Sequence, residues 1–82
     1  VNTTQPKQAI TRKLSYKETR ELEGLPDRIA QLEEEQAALE TRTADPSFFA
    51  GESDEVANTL ARLTEVSVSL DEALERLIEL EG

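Results

Sequence analysis

Lys13 and Lys17 stand four residues apart and Arg20 three further on, with Arg12 and Tyr16 between and beside them. On a helix that spacing gathers the cations on one face of successive turns, next to an aromatic ring. The chemistry this combination supports is phosphate binding. Ammonium and guanidinium groups neutralise backbone phosphates without reading bases, and a tyrosine can stack or donate a hydrogen bond. No base-reading motif accompanies the five residues. The plain alternative is solubility charge near a terminus.

Other reactive chemistry is poorly served. The chain has no cysteine and no histidine, which removes thiolate chemistry, the usual proton shuttle and the commonest transition-metal ligand. Glu33, Glu34 and Glu35 are consecutive, and consecutive helical side chains point about 100° apart, so they cannot converge on one ion. They read as a solvated face. No catalytic residue and no metal site is expected, and at 82 residues the chain is too short to close a deep pocket around a small substrate. Phe48 and Phe49 are the remaining candidates. Adjacent aromatics in a tight turn point in different directions, so one can plug the end of a core while the other meets a partner, RNA or protein.

The net charge of -9 conceals an asymmetry. Residues 1–20 carry Lys7, Arg12, Lys13, Lys17 and Arg20 against Glu18, about +4, which leaves about -13 on the remainder. A basic strip therefore precedes a strongly acidic body.

The elements that must carry the strip are set by leucine spacing. Leu22, Leu25, Ile29, Leu32, Gln36, Leu39 and Thr43 form one heptad array, and Val56, Leu60, Leu63, Ser67, Leu70, Leu74 and Leu77 form a second. Paired head to tail they match layer by layer: Leu39 with Leu60, Leu32 with Ser67, Ile29 with Leu70, Leu25 with Leu74, Leu22 with Leu77. Between them Pro46 and Gly51 provide a reversal. The expected fold is all-α, an antiparallel two-helix coiled-coil hairpin, with arms at about 16–44 and 54–80 and a tip at 45–53. Each arm would span roughly 42 Å. Residues 1–12 read as a flexible linker and 13–82 as the hairpin domain.

Local signals place the ends. Ser15 with Glu18 forms a capping box, Asp45 before Pro46 stops the first arm, and Ser53 is the expected cap of the second. Gly24 and Pro26 predict a kink in the first arm without a reversal. Gln36, Thr43 and Ser67 are polar seam residues that set register. Val66, Ala73, Ile78 and Leu80 widen the apolar stripe beside the seam, and Leu14 and Tyr16 are expected to fold onto Ile78 and Leu80 at the base. The chain lacks a spanning apolar run and a signal-peptide core, which predicts a cytoplasmic protein with no membrane partner, monomeric as an isolated domain.

The run Lys13-Leu14-Ser15-Tyr16-Lys17-Glu18, followed by Arg20-Glu21-Leu22-Glu23, Leu25-Pro26, and Ile29 with Leu32 and Glu33, resembles the opening of the C-terminal coiled-coil domain of Uup-type ABC-F ATPases. The tip residues Asp45, Pro46, Phe48, Phe49 and Gly51 are similar to that domain's tip. The resemblance implies a noncatalytic domain following two tandem ATP-binding cassettes in a soluble protein active around the ribosome and in genome maintenance. It also implies DNA binding, with Lys13, Lys17 and Arg20 as phosphate contacts; ATP and Mg would belong to the cassettes, since no glycine-rich phosphate loop occurs in these residues. Only Arg28, Arg42, Arg62 and Arg76 add positive charge to the arms, so binding is expected to be weak, salt-sensitive and indifferent to sequence, with DNA or ribosomal RNA as partner. The alternative reading is a protein- or ribosome-interaction spacer with the tip phenylalanines as contact.

Overall fold

In the computed structural model, which describes residues 13–82, two helices of 29 residues each pack antiparallel. Helix α1 runs Tyr16–Ala44, a short 3-10 turn occupies Pro46–Ala50, and α2 runs Ser53–Glu81. The architecture is an all-α helical hairpin. The expected linker at residues 1–12, Arg12 included, lies outside the described residues.

Each end of α1 follows from a nameable side chain. Ser15 Oγ accepts from the Glu18 N–H at 3.1 Å while Glu18 accepts from the Ser15 N–H at 3.0 Å, so two otherwise orphaned donors are satisfied. At the other end Asp45 is extended and Pro46 begins the tip turn, where Asp45 Oδ1 accepts from both the N–H and the hydroxyl of Ser47. Those bonds hold the Asp45 carboxyl below its ordinary value, the backbone donor contributing most. Gly51 then releases the chain: its N–H reaches the Phe48 carbonyl at 3.1 Å, and a Cβ there would lie 3.3 Å from that oxygen.

Gly24 and Pro26 lie inside α1, which continues through them. Proline removes the N–H that would reach the Leu22 carbonyl, a local loss that the packing of Leu22, Leu25 and Ile29 on the core outweighs. The cap of α2 is Glu52, not Ser53. The Glu52 carboxylate reaches forward to the Glu55 N–H at 3.0 Å and starts the helix at Ser53, an arrangement favoured because negative charge suits a helix N-terminus.

The seam differs from the expected layers on one side. Leu25, Ile29 and Leu32 of α1 are buried, as are Val66, Leu70, Ala73 and Leu80 of α2, with Thr59 in the same row. Leu60 and Leu74, placed in the seam by leucine spacing, are each 38 % exposed. The two candidate rows share residues 56, 63, 70 and 77; the buried row fills the gaps with 59, 66, 73 and 80 in place of 60, 67 and 74. Two physical effects select it. Small Ala73 and Val66 let the helices approach the leucines of α1, and the rotation turns Arg62 and Arg76 toward α1, where carboxylates await them. Ser67 accordingly meets Gln36 across the seam, accepting from its Nε2 at 3.1 Å.

The expected base is half correct. Leu14 packs on the buried cluster that contains Leu80, but Tyr16 is 76 % and Ile78 70 % exposed. Ile78 lies one residue past Leu77, about 100° around the helix from the seam. Tyr16 is the first residue after the cap and faces outward.

Candidate nucleic-acid interface

The hairpin presents its N-terminal basic residues at the open end, on the first turns of α1. Lys13 is exposed in the segment before the cap, and Lys17 and Arg20 are exposed on the helix. Among the described residues neither lysine forms an ion pair. Arg20 is held by a neighbour: its Nη1 donates to Tyr16 Oη at 3.1 Å, and its guanidinium carbon lies 5.9 Å from the centre of the Tyr16 ring. The i, i+4 spacing produces this contact. Among the described residues its one ion-pair partner, Glu23, stands 3.9 Å away, at the limit of pairing. Tyr16 therefore braces Arg20 while leaving most of its donors to solvent. The structure brings Tyr16 and Arg20 together and leaves Lys13 and Lys17 as separate, mobile-tipped cations on long stems.

The other arginines of the arms are committed differently. Arg76 forks onto Glu21 with its Nε and Nη2 at 2.7 and 2.9 Å, and Arg62 forks onto Glu35 at the same two distances. Arg42 reaches Glu55 at 2.6 Å. The guanidinium hydrogen bonds, partly opposed by desolvation, hold the Glu21 and Glu35 carboxyls below their ordinary value, and the same contacts push the Arg62 and Arg76 values up. From 21 to 35 is two heptads, as is 76 to 62; from 35 to 42 is one, as is 62 to 55. The three bridges are rungs of a single ladder along one edge of the seam. Glu35 thus belongs to this ladder and not to the solvated face on which Glu33 and Glu34 remain exposed.

At the opposite end, Phe48 is half-buried and Phe49 is 61 % exposed. Their rings meet edge to face, centroids 4.9 Å apart at 82°, and the Arg42 guanidinium lies 5.8 Å from the Phe48 ring centre. Phe48 is the more enclosed of the two, and Phe49 projects. The tip and the basic strip stand at opposite ends of the hairpin, so no single compact partner surface joins them.

Among the described residues no cluster of acidic side chains is arranged to hold a metal ion, and the three glycines are isolated at 24, 51 and 82. Nor is any described helix long and apolar enough to cross a membrane. Residue spacing alone does not single out Arg28 or the ladder, although Arg28, eight residues past Arg20, lies close to the same helical face.

Comparison with known proteins adds ancestry to this geometry. The family model described as the ABC transporter C-terminal domain matches residues 13–82. The chain is 42 % identical over 70 residues to the ATP-binding protein Uup of Escherichia coli, covering 85 % of this chain and 11 % of that relative. It is 40 % identical over 79 residues to the ATP-binding protein Uup-like of Haemophilus influenzae, covering 96 % of this chain and 17 % of the relative. A Uup protein of the same organism is 40 % identical over 79 residues, covering 96 % and 12 %. The chain thus spans less than a fifth of the length of the curated relatives it matches. No solved structure matches it significantly.

Proposed function

Because the chain belongs to the ABC transporter C-terminal domain family, we propose that it is a noncatalytic accessory domain of a soluble, cytoplasmic ABC-F ATPase that binds DNA through backbone phosphates, without sequence preference. One observation carries the reading: Lys13, Lys17 and Arg20 stand exposed on one end of a rigid hairpin, with Arg20 braced by Tyr16. A cationic end on an otherwise acidic rod orients approach. The strip meets the polyanion while the arms, carrying most of the -13, are repelled from it. Arg12 is proposed as part of the same contact.

The relatives are named ATP-binding proteins, and ATP hydrolysis with Mg is assigned here to tandem cassettes of the parent protein, a reading supported by the lack of a glycine-rich phosphate loop in this sequence. The hairpin's role would be to tether those cassettes to nucleic acid. A membrane has no part in it.

A second reading has its own observation. Phe49 is a 61 % exposed aromatic at the far tip of a rod, which suits a spacer whose end docks on a protein or on ribosomal RNA while the body sets distance. A titration separates the two. Duplexes of unrelated sequence and a structured RNA are offered to the wild type, to a Lys13, Lys17 and Arg20 to Glu triple variant, and to Phe49→Ala. Equal duplex affinities for the wild type and loss in the triple variant support the phosphate reading. Binding lost only in Phe49→Ala supports the spacer.

A further inference from the structure

The ion-pair ladder has one rung without an acid. Its bridges recur at heptad positions 21, 35 and 42 of α1, against 76, 62 and 55 of α2. The position they skip is 28, opposite 69, where Arg28 meets a serine. Among the described residues Arg28 has no ion pair, and its side chain is exposed. Elsewhere in the ladder each guanidinium is neutralised; here five donors are left to whatever enters.

There is space for something to enter. A groove of about 450 Å³ between the arms has Arg20, Arg28 and Arg76, the carboxylates Glu21 and Glu72, and Ser69 among its lining residues. Gly24 lies between Arg20 and Arg28 on the same face, and a Cβ there would meet nothing within 4 Å, so the floor of the groove is open. Lys17, Arg20, Gly24 and Arg28 follow one another at spacings of three, four and four, a single helical stripe. From Lys17 to Arg28 is roughly 16 Å along the helix, about five base-pair rises of a duplex. Ser69 adds a hydroxyl donor on the far wall. Arg76 is turned in by its fork on Glu21, which neutralises it, and Glu21 and Glu72 are the carboxylates of the lining.

We propose that this groove is a phosphate-binding subsite for the nucleic-acid backbone, with Arg28 as its principal cation and Arg20 shared with the terminal strip. The proposal rests on the nucleic-acid reading above and extends its contact from the end of the hairpin along the first arm. A bidentate guanidinium contact to a phosphodiester suits Arg28, which is planar and forms no ion pair among the described residues. Gly24 keeps the backbone between the two arginines clear of the strand.

The test is fluorescence anisotropy of a labelled duplex against the 82-residue chain over a salt series, with helical content checked by circular dichroism for each variant. Arg28→Gln is expected to weaken binding about three- to ten-fold at low salt and to reduce the salt slope by about 1. Glu72→Gln, which removes an anion from the groove wall, is expected to tighten binding a few-fold. Wild-type affinity and slope in Arg28→Gln, with binding lost in the Lys13, Lys17 and Arg20 to Glu variant, overturns the subsite and leaves the wider reading standing. No duplex binding by the wild type overturns both. If Arg28→Gln loses its helix, Glu72→Gln decides: tighter binding supports the subsite and unchanged binding overturns it. Displacement of the duplex by inorganic phosphate, but not by chloride at matched ionic strength, would show a free-anion site and overturn the backbone assignment.

Discussion

Arg76 lays its guanidinium across both carboxylate oxygens of Glu21, at 2.7 and 2.9 Å, and so ties the start of α1 to the last turns of α2. Both side chains are only partly exposed, 39 % and 37 %. The fork closes the open end of the hairpin beside Lys17 and Arg20, on which the proposed interface depends. A two-helix structure has a small core, and fraying at this end would scatter the cations.

The Glu21 and Glu35 contacts make stability depend on acid pH in a fixed direction. Each carboxyl is held below its ordinary value of 4.5 in the folded state, first by the hydrogen bond from its arginine. The stabilisation is therefore complete above about pH 4.5 and is lost as pH falls through the lowered folded values. Protonation of the many other acids relieves repulsion between the arms, so the pair effect is read as a difference. Melting temperatures of the wild type and of Glu21→Gln/Glu35→Gln should differ most near neutrality and converge below pH 4. A constant gap across that range would refute the linkage.

Substitutions distinguish the buried row from the leucine row. Leu70, 7 % exposed, lies in the seam, whereas Leu74 is 38 % exposed on its flank. Leu70→Ala should cost about 2–4 kcal/mol, enough to unfold much of so small a domain, and Leu74→Ala less than about 1. Urea melts followed by circular dichroism give both values. Equal costs would mean that the helices pack in the other rotation.

The Gln36 to Ser67 hydrogen bond, 3.1 Å across the seam, marks one register. Replacing the pair together, Gln36→Leu with Ser67→Ala, should raise the melting temperature, because both polar groups are removed and apolar surface is buried. The same change should weaken specificity, with higher oligomers appearing in sedimentation velocity. A double variant that melts lower than the wild type would contradict this account.

Much of the hairpin is legible in the sequence because its signals are local. Ser15 with Glu18, Asp45 before Pro46, and the leucine period each act over three or four residues, and the structure shows their bonds. The rotation of α2 is not local. Residues 56, 63, 70 and 77 fit either flank, and the choice of Val66 and Ala73 over Ser67 and Leu74 depends on what α1 offers opposite: leucines that favour small neighbours and carboxylates that capture Arg62 and Arg76. The candidate interface divides in the same way. The Tyr16 to Arg20 contact follows from an i, i+4 spacing, whereas the open rung at Arg28 exists only once the partner helix places Ser69, and no acid, across from it.

The salt dependence of duplex binding by the wild-type chain decides whether the strip binds backbone phosphates. If Lys13, Lys17, Arg20 and Arg28 each neutralise one phosphate, log K against log salt should fall with a slope of about -3.6, the same for duplexes of unrelated sequence. A slope near zero, or affinity that changes by orders of magnitude with sequence at constant salt, would contradict backbone binding by this strip.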